Sequence, residues 1–243
     1  MTAPPAGGLA SLSAVVFSVP KLGRSPAENE DSATTDVAAG RFAVADGAST
    51  SARPEIWSQL LVEAFVDERS DPLDPQTLAR LRNQWMLLVT DPSLPWYAQA
   101  KLQHGADAAF LGLCINPDAV TYRAGAVGDS CLFHLRGQDI VRVGPVDQAD
   151  GFGRFPELLS SRADAPLRTA TVLTGSYLPG DVFVLATDAM AKFLLTVHER
   201  HGRIPPVTEL ARSRERYARY VARYRWRGQL ANDDTTLCVV STR

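Results

Sequence analysis

The sequence predicts an α+β protein in which antiparallel sheets are covered by helices. Two observations point there: short apolar or alternating runs are joined through tight turns, and helical periodicity comes in blocks instead of alternating with single strands. A third is that several strand-like runs end on an aspartate, at Asp46, Asp129 and Asp188, with a fourth, Asp233, just before the closing run.

In chain order, residues 1–11 are rich in Ala, Pro and Gly and read as a flexible tail, and 12–243 read as a single domain. Ala14 to Val19 form a β-branched first strand. Lys21 to Thr35, with Gly23, Pro26 and many polar residues, read as a loop. Arg41 to Ala45 form a buried strand running into Asp46 and Gly47. Behind Pro54, residues Ile56, Trp57, Leu60, Leu61, Ala64 and Phe65 recur at helical spacing. Leu78, Leu81, Trp85 and Leu88 repeat that pattern over Thr77 to Thr90, and Tyr97 to His104 form a third helix beyond Pro92 and Pro95.

The period then changes. Ala108 to Ile115, Val120 to Val127, Cys131 to Leu135 and Asp139 to Val143 read as an antiparallel meander. Residues 144–168 lack periodicity and read as a long surface loop. Strands follow at Thr169 to Leu173 and Asp181 to Ala186, then a helix at Met190 to Glu199, a break at Pro205 and Pro206, and one helix from Val207 to Arg227. The strand Thr236 to Ser241 closes the chain.

Composition is that of a globular protein, 45% hydrophobic and 21% charged, and 25 basic against 27 acidic residues leave a formal charge of −2. No global field therefore recruits nucleic acid or an anionic membrane. No segment offers about 18 uninterrupted apolar residues, so a cytoplasmic protein is expected, and a monomer is expected as well. Cys114, Cys131 and Cys238 lie far apart in apolar runs and read as reduced, buried thiols.

Carboxylates at strand ends are held by a rigid sheet and can converge on one rim, where hard oxygen ligands suit Mg²⁺ or Mn²⁺. Taken singly, Asp-Gly and Gly-Asp are common turn dipeptides. Their order is what distinguishes them. VADGAS (44–49), GDSCLF (128–133), LATDAM (185–190) and DDTTLCVV (233–240), with NEDS (29–32) upstream, resemble the ordered motifs of the PP2C (PPM) family of metal-dependent protein phosphatases, in a divergent, bacterial-like form.

The resemblance spans roughly residues 12–243. It implies two antiparallel sheets packed face to face and flanked by helices on both sides. It also implies that Asp46 bridges two metal ions, that the Gly47 carbonyl binds one of them, and that Asp188 with Asp233 holds the other. Glu30 or Asp31 would serve the second metal directly or through water, and Asp129 with Asp188 would hold a third in bacterial members. The implied activity is hydrolysis of phosphoserine and phosphothreonine by direct attack of metal-activated hydroxide, without a phosphoenzyme. The implied partners are phosphorylated proteins and a cognate Ser/Thr kinase.

The chain departs from the family pattern in four places. Ala48 stands where some relatives carry a histidine, Ala189 where Gly often follows, and Asp234 where Asn is usual. Pro26 holds the place of the phosphate-binding arginine, so Arg24, or Lys21 further upstream, would bind phosphate across a longer loop, and Arg24 is the candidate taken. The competing function is a pseudophosphatase, which keeps the fold and binds a phosphoprotein or kinase without turnover.

Two other readings are weaker. GDSCL resembles the nucleophile block of GDSL esterases, but no Asp precedes His198 or His201 by three residues. The segment 212–227 interleaves seven arginines with Tyr217, Tyr220, Tyr224 and Trp226, and reads as a core stripe of Leu210, Tyr217, Val221 and Tyr224 with solvated arginines. His104 and His134 read as structural.

Overall fold

In the computed structural model, residues 11–153 and 156–243 are described, so most of the expected N-terminal tail lies outside the described residues. One sheet has the strand order β1 (Leu12–Val19), β11 (Thr235–Thr242), β10 (Val182–Ala186), β6 (Cys131–Arg136), β7 (Asp139–Gly144). The other runs β2 (Asp31–Asp36), β3 (Arg41–Gly47), β4 (Asp107–Asn116), β5 (Thr121–Val127), β9 (Thr171–Ser176), and the short β8 (Leu159–Ser160) also pairs with β4. Every pairing is antiparallel.

Side-chain alternation along the strands builds the layers. On β3, Phe42 and Val44 point into a core between the sheets with Leu111, Leu113, Phe183, Leu185, Cys238 and Val240. The intervening Ala43 and Ala45 turn outward against Trp57, Leu61 and Trp85 of α1 (Pro54–Val66) and α2 (Pro75–Val89). On the far side, Phe133, Val184 and Val239 pack on α4 (Asp188–His201) and α6 (Arg214–Trp226). The helix α3 (Trp96–Gln103) leads into β4, and the short α5 (Val207–Leu210) precedes α6. The expected α+β class, two packed antiparallel sheets flanked by helices on both sides, is thus the observed one.

Four expectations are corrected. The segment expected to be loop up to Thr35 contains β2, whose polar sequence DSATTD carries no buried apolar face and is extended because β3 supplies its partners, from Asp31↔Asp46 to Asp36↔Arg41. The expected meander is divided between the sheets: β4 pairs with β5 in one, β6 with β7 in the other, and the chain crosses at Gly128–Ser130. Gly128 makes that crossing at φ +100, where an added Cβ would come within 2.5 Å of the Ala109 Cβ. The helix expected over 207–227 is two helices, separated at 211–213, with Ser213 capping α6 by accepting from the Arg216 amide. On α2, Val89 is buried and Leu88 is exposed, reversing the expected stripe at that end.

The cysteines are free among the described residues, and burial pushes the Cys131 and Cys238 thiols up to about 12, which keeps them protonated and unreactive. His134 is structural: its Nε2 lies 2.8 Å from Asp181 Oδ2, and Arg136 grips the same carboxylate through two hydrogen bonds of 2.9 Å. No described helix is long and apolar enough to cross a membrane.

Candidate metal centre

Antiparallel pairing gathers the acidic landmarks at one rim. The start of β2 faces the end of β3, so Asp31 and Asp46 are direct register partners. The end of β10 meets the starts of both β6 and β11, which delivers Asp188 and Asp233, and Asp129 sits at the crossing between β5 and β6. Thr187 ties the two sheets together at this rim, since its hydroxyl donates to Asp31 Oδ2 at 2.9 Å and accepts from the Thr236 amide at 3.0 Å.

The electrostatics are those of crowded, desolvated carboxylates. Burial, followed by the like charges of Asp31, Asp188 and Asp129, pushes the Asp46 carboxyl well above the ordinary range. Burial, with Asp234 and Asp188 nearby, brings Asp31 up to about 8 against the hydrogen bond from Thr187. Burial and then Asp188 raise Asp129 to about 6, and burial and then Asp233 raise Asp188. Asp31 Oδ1 is buried without any hydrogen-bond partner.

Such a set fits a hard divalent cation chemically: the donors are oxygens, and an unpartnered buried carboxylate oxygen is costly unless a cation meets it. Geometrically the set is not drawn up around one point. Among the described residues, no group of three or more His, Cys, Asp or Glu side chains is arranged to hold a metal ion.

Gly47 is a glycine for a steric reason. An added Cβ would lie 2.8 Å from both the Glu30 carbonyl oxygen and Pro54 Cβ, so the chain passes this corner only without a side chain. The Gly47 amide donates to the Glu30 carbonyl at 3.2 Å, and Ser58 Oγ donates to the same oxygen at 2.8 Å. The NEDS segment is thereby fixed to β3 and α1.

Three more residues shape this rim: Lys21, the alternative to Arg24 in the sequence, and Asp234 and Arg225, whose roles sequence reasoning missed. Lys21 Nζ donates to Glu30 Oε2 at 2.8 Å and to Ser49 Oγ at 2.6 Å, and lies 3.3 Å from Asp233 Oδ1. The expected phosphate ligand Arg24 instead pairs with Glu28 at 2.8 Å on the surface. The ammonium at the carboxylates is therefore that of Lys21. Asp234, expected only to add negative charge, is 4% exposed and accepts from the Lys21 amide and the Glu30 amide, each at 2.8 Å. It clamps the end of β1 to the start of β2.

Arg225 is the third. Expected among the solvated arginines, it is buried and donates to the Pro20 carbonyl at 2.8 Å, the Val19 carbonyl at 3.4 Å, the Thr235 hydroxyl at 2.8 Å and the Asp233 carbonyl. The signal available in the sequence was spacing: Arg225 follows Tyr217 and Val221 at i+8 and i+4, on the buried stripe. Asp233 itself is 49% exposed, the most accessible carboxylate of the set.

No protein-family model matches the chain, and no curated protein matches it in sequence. Solved structures do match in shape. The photosystem II phosphatase PBCP aligns over 96% of this chain and 99% of its own at 17% identity, with a TM-score of 0.63. The catalytic domain of the serine threonine protein phosphatase PstP, in complex with two manganese ions, aligns over 96% and 99% at 17% identity and a TM-score of 0.60. PppA of Pseudomonas aeruginosa, a key regulatory component of T6SS, aligns over 97% and 99% at 18% identity and 0.57. The chain shares the fold of these proteins, the PP2C-type phosphatases PBCP and PstP among them, across nearly its whole length.

Proposed function

We propose that this chain is a PP2C-type protein-serine/threonine phosphatase that hydrolyses phosphate monoesters with Mg²⁺ or Mn²⁺. The observation that carries the proposal is the pairing of Asp31 with Asp46: two half-buried aspartates opposite one another, ringed by Asp188 and Asp129, with Asp31 Oδ1 buried and unpartnered. Uncompensated charge of that density is retained only where a cation offsets it. The solved PstP structure with two manganese ions supports the choice of metal.

Asp46, the Gly47 carbonyl, Asp188 and Asp233 would hold the ions, with Glu30 or Asp31 on one flank and Asp129 on the other. When bound, the metal supplies hydroxide at neutral pH and positive charge against the phosphoryl oxygens. The remaining work falls to the chain. Thr187 orients Asp31, Asp234 holds the Glu30 and Lys21 amides in place, and Lys21 presents an ammonium beside the half-exposed Asp233, where a substrate phosphate would arrive. Phosphorylated proteins are the substrates, a cognate Ser/Thr kinase makes the phosphoester, and the protein acts as a cytoplasmic monomer.

A second reading, a pseudophosphatase, is favoured by one observation: Lys21 Nζ already neutralises Glu30 and Asp233. Hydrolysis of p-nitrophenyl phosphate and of a phosphothreonine peptide, with and without Mn²⁺ or Mg²⁺ and with Asp188→Asn as control, separates the two. Metal binding without turnover sinks the enzyme and leaves the binding module.

A further inference from the structure

Far from the acidic rim, a groove of about 970 Å³ lies between the C-terminal halves of α4 and α6, bounded by Pro205, Pro206 and Gln229. The helix α4 has 14 residues, so His201 at the groove is about 20 Å from Asp188 at the other end. The groove's charge is one-sided. Arg200, Arg203 and Arg227 line it, no acidic side chain does, and none of the three forms an ion pair among the described residues. By contrast, Arg212 and Arg216 are both engaged by Glu209.

The ends of the two helices account for part of this charge. Each C-terminus carries about half a negative charge, so the pair offsets roughly one guanidinium and leaves about two uncompensated. In a chain whose formal charge is −2, that is a local cationic site built against the overall balance.

The floor is aromatic and already assembled. Phe193 meets Tyr224 at a centroid distance of 4.9 Å, Tyr220 meets Tyr224 at 4.5 Å, and the Arg227 guanidinium lies 5.8 Å over the Tyr224 ring. Rings packed on one another, with a guanidinium over one face, leave little free face for the base stacking that single-stranded nucleic acid needs. Tyrosine and arginine clustered in a concave site are instead the composition of protein-binding hot spots.

We propose that this groove docks an acidic segment of a protein partner, its carboxylates on Arg200, Arg203 and Arg227 and an apolar side chain on the Phe193–Tyr224 floor. The inference uses no part of the phosphatase reading and survives its failure.

Fluorescence anisotropy tests it, with a fluorescein-labelled Asp/Glu-rich peptide carrying one central Phe, against the same peptide with Asn/Gln throughout. The acidic peptide binds the full chain more tightly, and raising salt from about 0.05 M to about 0.5 M weakens it several-fold. R200E/R203E/R227E loses about tenfold or more in affinity, and R203E alone about threefold, with thermal unfolding as the check that both remain folded. Equal binding of the two peptides, or equal affinity of the folded triple variant, overturns the proposal. So does an arginine-dependent preference for labelled oligo-dT over the acidic peptide, which would make the groove a nucleic-acid site.

Discussion

Asp31 and Asp46 stand directly opposite each other on adjacent antiparallel strands, both half-buried and both with carboxyls displaced upward from the ordinary carboxylate range. Opposed acidic pairs across a ladder destabilise a sheet unless something offsets them. Removing one charge should therefore help the metal-free fold and harm metal binding. Asp46→Asn is expected to raise the Tm of the protein in EDTA at pH 8 and to abolish the rise in Tm that Mn²⁺ produces in the wild type. Differential scanning calorimetry with and without Mn²⁺ reads both; an unchanged Mn²⁺ shift in the variant would remove Asp46 from the ligand set.

The same pair sets a pH dependence. Asp31 titrates near 8 in the folded chain against an ordinary value of 3.8. A raised folded value means that the stabilising, protonated form is fully present below about 4 and is lost as pH climbs through about 8. In EDTA, the carboxylate cluster thus contributes a decline in stability from pH 5 to pH 9, and saturating Mn²⁺ flattens it. Urea unfolding midpoints across that range give the slope.

Lys21 links Glu30, Ser49 and Asp233 from the loop upstream of Arg24. If its ammonium meets substrate phosphate, Lys21→Met raises KM for p-nitrophenyl phosphate about tenfold while kcat changes less, because a ground-state contact is lost. Isothermal titration with Mn²⁺ should show affinity equal to or tighter than wild type, since the internal cation is gone. A fall in kcat with KM unchanged would place Lys21 in the chemical step instead.

Arg225 is a structural pin for the rim. Arg225→Met takes the guanidinium donor from the carbonyls of Val19 and Pro20 and leaves the Asp233 carbonyl with the Thr235 hydroxyl alone, at a cost of about 2 kcal/mol. Chemical denaturation measures that loss. Because the pin holds the backbone of Asp233, Mn²⁺ affinity should fall as well, a readout that a purely peripheral arginine would not move.

At the opposite end of the same sheet, burial raises the Asp181 carboxyl, but hydrogen bonds from Arg136, the Leu178 amide and His134 outweigh it and bring Asp181 down to about 2. A depressed folded value contributes stability present above about 4 and lost as pH falls through about 2. Asp181→Asn should lose about 2 kcal/mol at neutral pH and unfold less steeply with acid than the wild type, as followed by circular dichroism between pH 4 and 2.

Much of this fold is written locally. Apolar alternation marked β1, β3, β4, β5, β6 and β10, and 3.6-residue periodicity marked α1, α2 and α4, because each of these elements buries a face of its own. The acidic landmarks were also legible, since Asp46, Asp188 and Asp233 each adjoin such an element. What the sequence by itself determined is therefore the set of elements with buried faces and the carboxylates carried at their ends.

Tertiary structure decided the rest. DSATTD has no buried face and becomes β2 only because β3 offers it backbone partners. Which sheet takes β6 is set by its pairing with β10, some fifty residues further on, and not by the short turn from β5. Lys21 stands just upstream of a motif and Asp234 inside one, but neither their partners nor the buried role of Arg225 can be read there. Their roles arise from hydrogen bonds spanning 212, 204 and 205 positions in sequence, respectively to Asp233, Glu30 and Pro20. A charge finds its partner through the packing of distant strands, so the carboxylates are visible in the chain and the groups that hold and neutralise them are visible only in the fold.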